Sequence, residues 1–219
     1  VYPPDSFYGS IGQLIDLRQT AESFGYLFGA FHQDYADMFQ NSPYWQNFCD
    51  PNSDVPNSGL SFMPISLDKN GKCRLSGWWS SSFQNGAHFY SIAQDKMMYY
   101  AQQEAVQIEN NIGISASYLD VSPKTSFSEL IDYSANNPNS KTIRDALQNN
   151  MNLNTYLRNI YGGPLSGEGG DHILQTIDTL IAGNVDAVAR EINQRENAAV
   201  IVDFELKHVK PLMANQGMG

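Results

Sequence analysis

The chain is short of charge, of cysteine and of long apolar runs, and each shortage closes off a class of function. Charged residues make up 16% of its 219 positions, against the quarter usual for a globular protein. Only 13 are Lys or Arg, against 23 Asp or Glu, for a formal net charge of −10. No basic stripe is available to neutralise phosphates, so nucleic acid is not an expected partner. Docking onto anionic lipid is disfavoured for the same reason. The most apolar window, ESFGYLFGAFHQDY, is interrupted by Glu22, His32 and Asp34. It falls short of the ~18 apolar residues expected of a membrane span. No signal peptide is visible; Val1 reads as a mature or cut terminus and the closing MANQGMG as a truncation.

Motifs of catalysis are missing too. GGPLSGEGGD, residues 162–171, is rich in glycine but has neither the Gly-Lys-Ser/Thr ending of a P-loop nor the G-x-G-x-x-G order of a dinucleotide site. It reads as a flexible loop. His32, His88, His172 and His208 are scattered, with no H-E-x-x-H or C-x-x-C nearby, so no metal site is assigned. DKNGK has only the start of a calcium-loop pattern. No G-x-S-x-G elbow is present. With 23 acidic residues, carboxylate pairs for glycoside hydrolysis are always available, but no local pattern singles out two. From the sequence alone, no catalytic residue, metal or cofactor is assigned.

What the chain does have begins with its two cysteines, Cys49 and Cys73, at either end of a stretch dense in Pro, Asn, Ser, Asp and Gly. That placement predicts a disulfide, closing a loop that has little regular structure of its own. Such a bond persists in an oxidising compartment, which predicts a periplasmic or secreted protein. No N-glycosylation sequon is present, which favours a bacterial source over a eukaryotic secretory route. Within the loop, Asn70-Gly71 is the signal of a type I′ hairpin turn, with Pro64 pushing the first arm to an edge.

Elsewhere, apolar spacing predicts helices. Ile11, Leu14, Ile15, Ala21, Phe24, Leu27, Phe28, Phe31, Tyr35, Met38 and Phe39 recur at intervals of three and four, stopped by Pro43. On that helix Ala21, Gly25 and Gly29 share a face, a small-residue stripe suited to close backbone packing or to a subunit contact. A second long helix runs to Gly113, with Phe83, Ala87, Tyr90, Met97, Ala101, Ala105, Ile108 and Ile112 inward. Ser126 to Glu129 forms a capping box. Two short helices follow in 137–163, then one capped by Asp171 and ended at Gly183, then a last one from Asn184. In that last segment AVIVDFEL, residues 199–206, fits helix or strand. The predicted fold is mainly α: a bundle of two or three long helices plus shorter ones, with a small β-hairpin in a disulfide-closed loop. The chain reads as a single domain, 1–219, divisible into a long-helix and hairpin half, 1–113, and a helical half, 126–219.

Tyr44-Trp45 and Trp78-Trp79 form an aromatic cluster that reads as core or interface anchor, or as a platform for sugar. SIGQLIDLRQTAESFGYLFGAFHQDYADMF is similar in texture to helices of minor-pilus and TrbJ-type conjugation proteins. SGWWSSSFQNGAHFYSIAQ and MNLNTYLRNIYGG, in an acidic chain rich in Asn and Gln, resemble soluble periplasmic proteins of the type IVB, Dot/Icm class, IcmX-like. This resemblance implies a non-catalytic structural subunit of a bacterial type IV secretion apparatus. Its partners would be itself, as a homo-oligomer, or other secretion proteins, through Ala21, Gly25, Gly29, Tyr44, Trp45, Trp78 and Trp79. The alternative expectation is a secreted hydrolase or carbohydrate-binding protein, or a secreted effector.

Overall fold

The segment that carries the apolar spacing from Ile11 to Phe39 does not stay helical. In the structure, a computed structural model, residues 6–29, 32–33, 35–76, 88–119, 131–135, 137–168 and 182–184 are described. Helix α1 (Ile11–Ser23) starts at a capping box: Gln13 N donates to Ser10 Oγ at 3.2 Å and Ser10 N to Gln13 Oε1 at 2.8 Å. It stops at Ser23, so of the predicted small-residue stripe it holds only Ala21. Phe24 caps it and Gly25 takes φ +82°, a left-handed conformation that ends helices and that glycine adopts without a Cβ clash. The chain then extends into β1 (His32–Gln33) and β2 (Asp37–Phe39).

The rest of the order is β3 (Phe89–Ser91), α2 (Gln94–Asn111), β4 (Ser117–Leu119), a 3₁₀ turn at Pro138–Ser140, α3 (Ile143–Tyr161), β5 (Leu165–Glu168) and β6 (Ala182–Asn184). Strands β1, β4, β5 and β6 are all parallel and lie side by side in chain order. The crossovers from β1 to β4 and from β4 to β5 each contain a helix, the connection parallel neighbours need. The expectation of a mainly helical bundle is therefore overturned: α2 and α3 lie in the connections between strands of a parallel sheet. Three local readings change with it. GGPLSGEGGD contains β5 rather than being loop throughout. Tyr90 lies on a strand, not on the second helix. Gly183 and Asn184 lie in β6, not at a helix end and cap.

Two compact units share the chain. One comprises Val1–Gln33, Gln103–Lys124 and Asn154–Gly219; the other comprises Asp34–Gln102 and Thr125–Leu153. The first holds the parallel sheet, over a core that includes Ala105, Ile108, Ile112, Ile114, Leu119, Leu157 and Leu165. In it Gly163 meets the backbone carbonyl of Ser115 so closely that no Cβ fits, and Ser117 N donates to Pro164 O at 3.0 Å. The absent side chain lets the segments entering β4 and β5 come together.

The second unit pairs β2 antiparallel to β3. Around this pair Ile65 bridges to Ile92, Leu67 to Cys73 and Leu75 to Tyr90. The hairpin at Asn70-Gly71 exists, but only Gly71 has positive φ, at +75°. Gly71 N donates to Asp68 O at 3.0 Å and Asp68 N to Lys72 O at 2.8 Å. This is a tight turn followed by a left-handed glycine, not the type I′ form, in which both central residues need positive φ. Cys49 and Cys73 are bonded to each other, with Cα atoms 6.4 Å apart, and both are buried. Met97, Ala101, Ala105, Ile108 and Ile112 are all buried and Gly113 follows the end of α2, as their spacing indicates. Among the described residues no helix is long and apolar enough to cross a membrane.

Candidate functional site

Parallel sheets place their chemistry at the carboxyl ends of the strands, where loops diverge and side chains from several strands converge. Here those ends are Gln33, Leu119, Glu168 and Asn184. The register aligns them: Gln33 is opposite Leu119, Leu119 opposite Gly167, and Glu168 opposite Asn184. Glu168 is thus an acidic residue on the last position of a central strand. The residues that come next in the chain after Gln33 and Leu119 are Asp34 and Asp120; both lie outside the described residues. Sequence reading passed over Glu168 because it sits in a glycine-rich run. It passed over Asp120 because SYL is too short to announce a strand. The available signal was an Asp directly after a short β-prone run, which gains meaning only once the strands are known to be parallel neighbours.

A second polar constellation lies in the other unit. Tyr90, at the centre of β3, is fully buried. Trp45 stacks on its ring at 5.2 Å and 16°, and Phe48 meets Trp45 edge-on at 5.5 Å. The Tyr90 hydroxyl donates to Asp54 Oδ1 at 2.9 Å, with His88 Nδ1 at 3.2 Å from that hydroxyl and 3.5 Å from the carboxylate. Burial, then the hydrogen bond to Asp54, then the charges of Asp54 and Asp50 hold the phenol well above the ordinary tyrosine range. The phenol is therefore a permanent donor, and the cluster is a hydrogen-bonded support for the disulfide loop: Asp54 O accepts from Cys73 N at 2.7 Å. Asp54 itself holds φ +55°. Beside it Asp50 accepts from Ser53 Oγ at 2.7 Å and Asn52 N at 2.9 Å, which lowers its carboxyl below the usual range.

The residues singled out in the sequence are dispersed by the fold. Ala21 is on α1, whereas Gly25 and Gly29 follow its end, so the three do not form one helical face. Tyr44 meets Tyr100 edge-on at 5.5 Å and Trp45 covers Tyr90. Trp78, Trp79, His172, His208, the capping box at Ser126 and the segment 199–206 lie outside the described residues. An open polar cleft lined by Thr155, Arg158, Asn159 and Gly162–Pro164 is at the entry to β5, opposite to the end where parallel-sheet sites form.

No protein-family model and no curated protein matches the chain. Its structure, however, is similar to that of an α-N-acetylgalactosaminidase, NagBb from Bifidobacterium bifidum. The ligand-free form aligns with a TM-score of 0.63 at 16% identity, covering 90% of this chain and 28% of that one. The GalNAc complex gives 0.64 at 15% identity, over 96% and 29%. A quadruple mutant gives 0.66 at 15%, over 94% and 30%. The likeness is one of fold. The fold is not that of a helical bundle, and the chain spans under a third of the length of the structures it matches.

Proposed function

We propose that this chain forms part of a carbohydrate-active hydrolase, in which the carboxyl edge of the β1-β4-β5-β6 sheet carries the reacting groups. The observation that supports this reading is the likeness of fold to a glycosidase over nine-tenths of the chain, combined with an acidic residue, Glu168, at the carboxyl end of β5. Glycoside hydrolysis uses two carboxyl groups, one protonating the leaving oxygen and one attacking the sugar or activating water. Glu168, on the last position of β5, and Asp120, next in the chain after β4, are the residues proposed for those roles. An α-linked N-acetylgalactosaminide is the first substrate class to try, because the similar structure is an enzyme that acts on that sugar. The Cys49–Cys73 bond fits an extracytoplasmic setting for such an enzyme.

The test is hydrolysis of aryl α-N-acetylgalactosaminide and a panel of other aryl glycosides, with calorimetric titration of GalNAc alongside. Glu168→Gln and Asp120→Asn are each expected to cut turnover by a factor of roughly 10³ or more, of the order seen when essential catalytic groups are removed. Far-UV circular dichroism should be unchanged. A folded protein that neither binds nor cleaves any sugar of the panel would overturn the reading.

A further inference from the structure

Lys69, Asn70, Gly71 and Lys72 are all exposed at the turn of the hairpin that leads into Cys73. Asn70 is followed directly by glycine. The chain's other such pair, Asn85-Gly86, lies outside the described residues. The side-chain amide carbon of an asparagine is open to attack by the backbone nitrogen of the residue after it. A side chain on that next residue obstructs the approach. Gly71 has none, and no atom lies within 4 Å of the place its Cβ would occupy.

Asp68 organises the turn. Its Oδ1 accepts from Asn70 N at 2.8 Å and from Lys72 N at 2.9 Å, and its Oδ2 from Asn70 Nδ2 at 3.3 Å. Gly71 N donates to Asp68 O at 3.0 Å, and this bond must open before Gly71 N can attack. The opening is local to an exposed loop tip, where such events cost far less than global unfolding. Lys69 and Lys72 flank the pair in the chain, and their positive charges favour loss of the Gly71 amide proton. The Asp68 carboxylate, itself offset by the charge of Arg74, opposes that loss.

We infer that Asn70 is a modification site, at which the side-chain amide is lost through attack by Gly71 N. Gly71 N gives its proton to solvent base and forms a bond to Asn70 Cγ. The Cγ–Nδ2 bond breaks, and Nδ2 leaves as ammonia with a proton from water, closing a succinimide ring. Water then opens the ring. Cleavage of the new bond to Cγ leaves aspartate at position 70. Cleavage of the bond to the main-chain carbonyl carbon leaves isoaspartate, which lengthens the main chain by one methylene. Water is the co-reactant, and nothing is oxidised or reduced. Either product adds a negative charge beside Asp68. The isoaspartate also disturbs the pairing that closes the turn, the bond from Asp68 N to Lys72 O and the bridge between Leu67 and Cys73. The inference stands on this hairpin alone and is independent of the hydrolase reading.

Incubation of the oxidised full chain at mildly alkaline pH tests it, beside a sample held at acid pH. The readouts are peptide mapping after digestion in acid and labelling by an isoaspartyl methyltransferase. The expected result is isoaspartate and aspartate at position 70, accumulating faster in the alkaline sample, and loss of both in Asn70→Gln. That variant keeps an amide at an exposed position, so its circular dichroism should match the wild type, but its ring closure needs one more atom and is slow. A folded wild type that keeps its asparagine at position 70 overturns the inference. Conversion of the reduced, unfolded chain in the same buffer would then show that the bond from Gly71 to Asp68 closes the site in the fold. Aspartate without isoaspartate also overturns it, because direct hydrolysis of the amide gives aspartate alone.

Discussion

Tyr90 donates its phenolic proton to Asp54 at 2.9 Å from a ring buried beneath Trp45. Replacing Tyr90 by Phe keeps the ring and removes the donor. The expected cost is about 1.5–3 kcal/mol, the range for a hydrogen bond to a charged group, read as a lower urea midpoint at neutral pH.

The same phenol controls alkaline stability. Tyr90 and Tyr100 both titrate above the ordinary value of 10.0, chiefly through burial. For Tyr100, neighbouring Tyr99 and Tyr44 add to it. Their protons are therefore held more tightly folded than unfolded. Stability is full below pH 10 and falls as pH rises beyond it, where only the unfolded chain releases them. Absorbance near 295 nm should show one set of tyrosines ionising near pH 10 and a later set ionising only together with loss of near-UV circular dichroism. Full ionisation in the folded protein at pH 11 would contradict this.

Reduction of Cys49–Cys73 should destabilise without erasing the fold. A cross-link of sequence separation 24 restricts the unfolded chain by about 3 kcal/mol. For a chain of this size the thermal midpoint should fall by roughly 6–12 °C on adding a thiol reductant. The local hydrogen bonds from Asp50 N to Val55 O and from Asn57 N to Phe48 O keep part of the loop in place.

Asp132 is buried and accepts from three groups: Leu67 N at 2.7 Å, Ser134 N at 2.9 Å and Asn137 Nδ2 at 2.8 Å. Asp132→Ala leaves buried donors unpaired, at roughly 3 kcal/mol or more. Denaturant unfolding checks it, with the nearby exposed Tyr133→Ala as the control that should move little.

Gly163→Ala should prevent the close approach to the Ser115 carbonyl. The segments before β4 and β5 must then separate, a strain of the kind that produces the largest single-substitution losses, roughly 3 kcal/mol or more. Gly162→Ala offers a contrast: nothing lies near its Cβ, and only its φ of +64° opposes the change, so its loss should be about 1 kcal/mol.

Local chemistry determined part of this protein in advance. Cys49 and Cys73 are the only cysteines, at the two ends of one irregular segment, and they are bonded. The three- and four-residue spacing of Met97, Ala101, Ala105 and Ile108 buried them on α2, and Ile112, also buried, and Gly113 follow its end. Each signal acts between residues a turn apart or needs only that two thiols meet. Tertiary structure alone decided the sheet. Strands of two to four residues, such as His32–Gln33 and Ser117–Leu119, are too short to show an alternating pattern. The same Phe and Leu spacing around Gly25 suited a helix until the left-handed glycine and pairing with distant strands prevailed. Parallel neighbours pair across dozens of residues, so their stabilisation is not written in any window of the chain. Glu168 gained its position at the sheet's carboxyl edge only through that pairing.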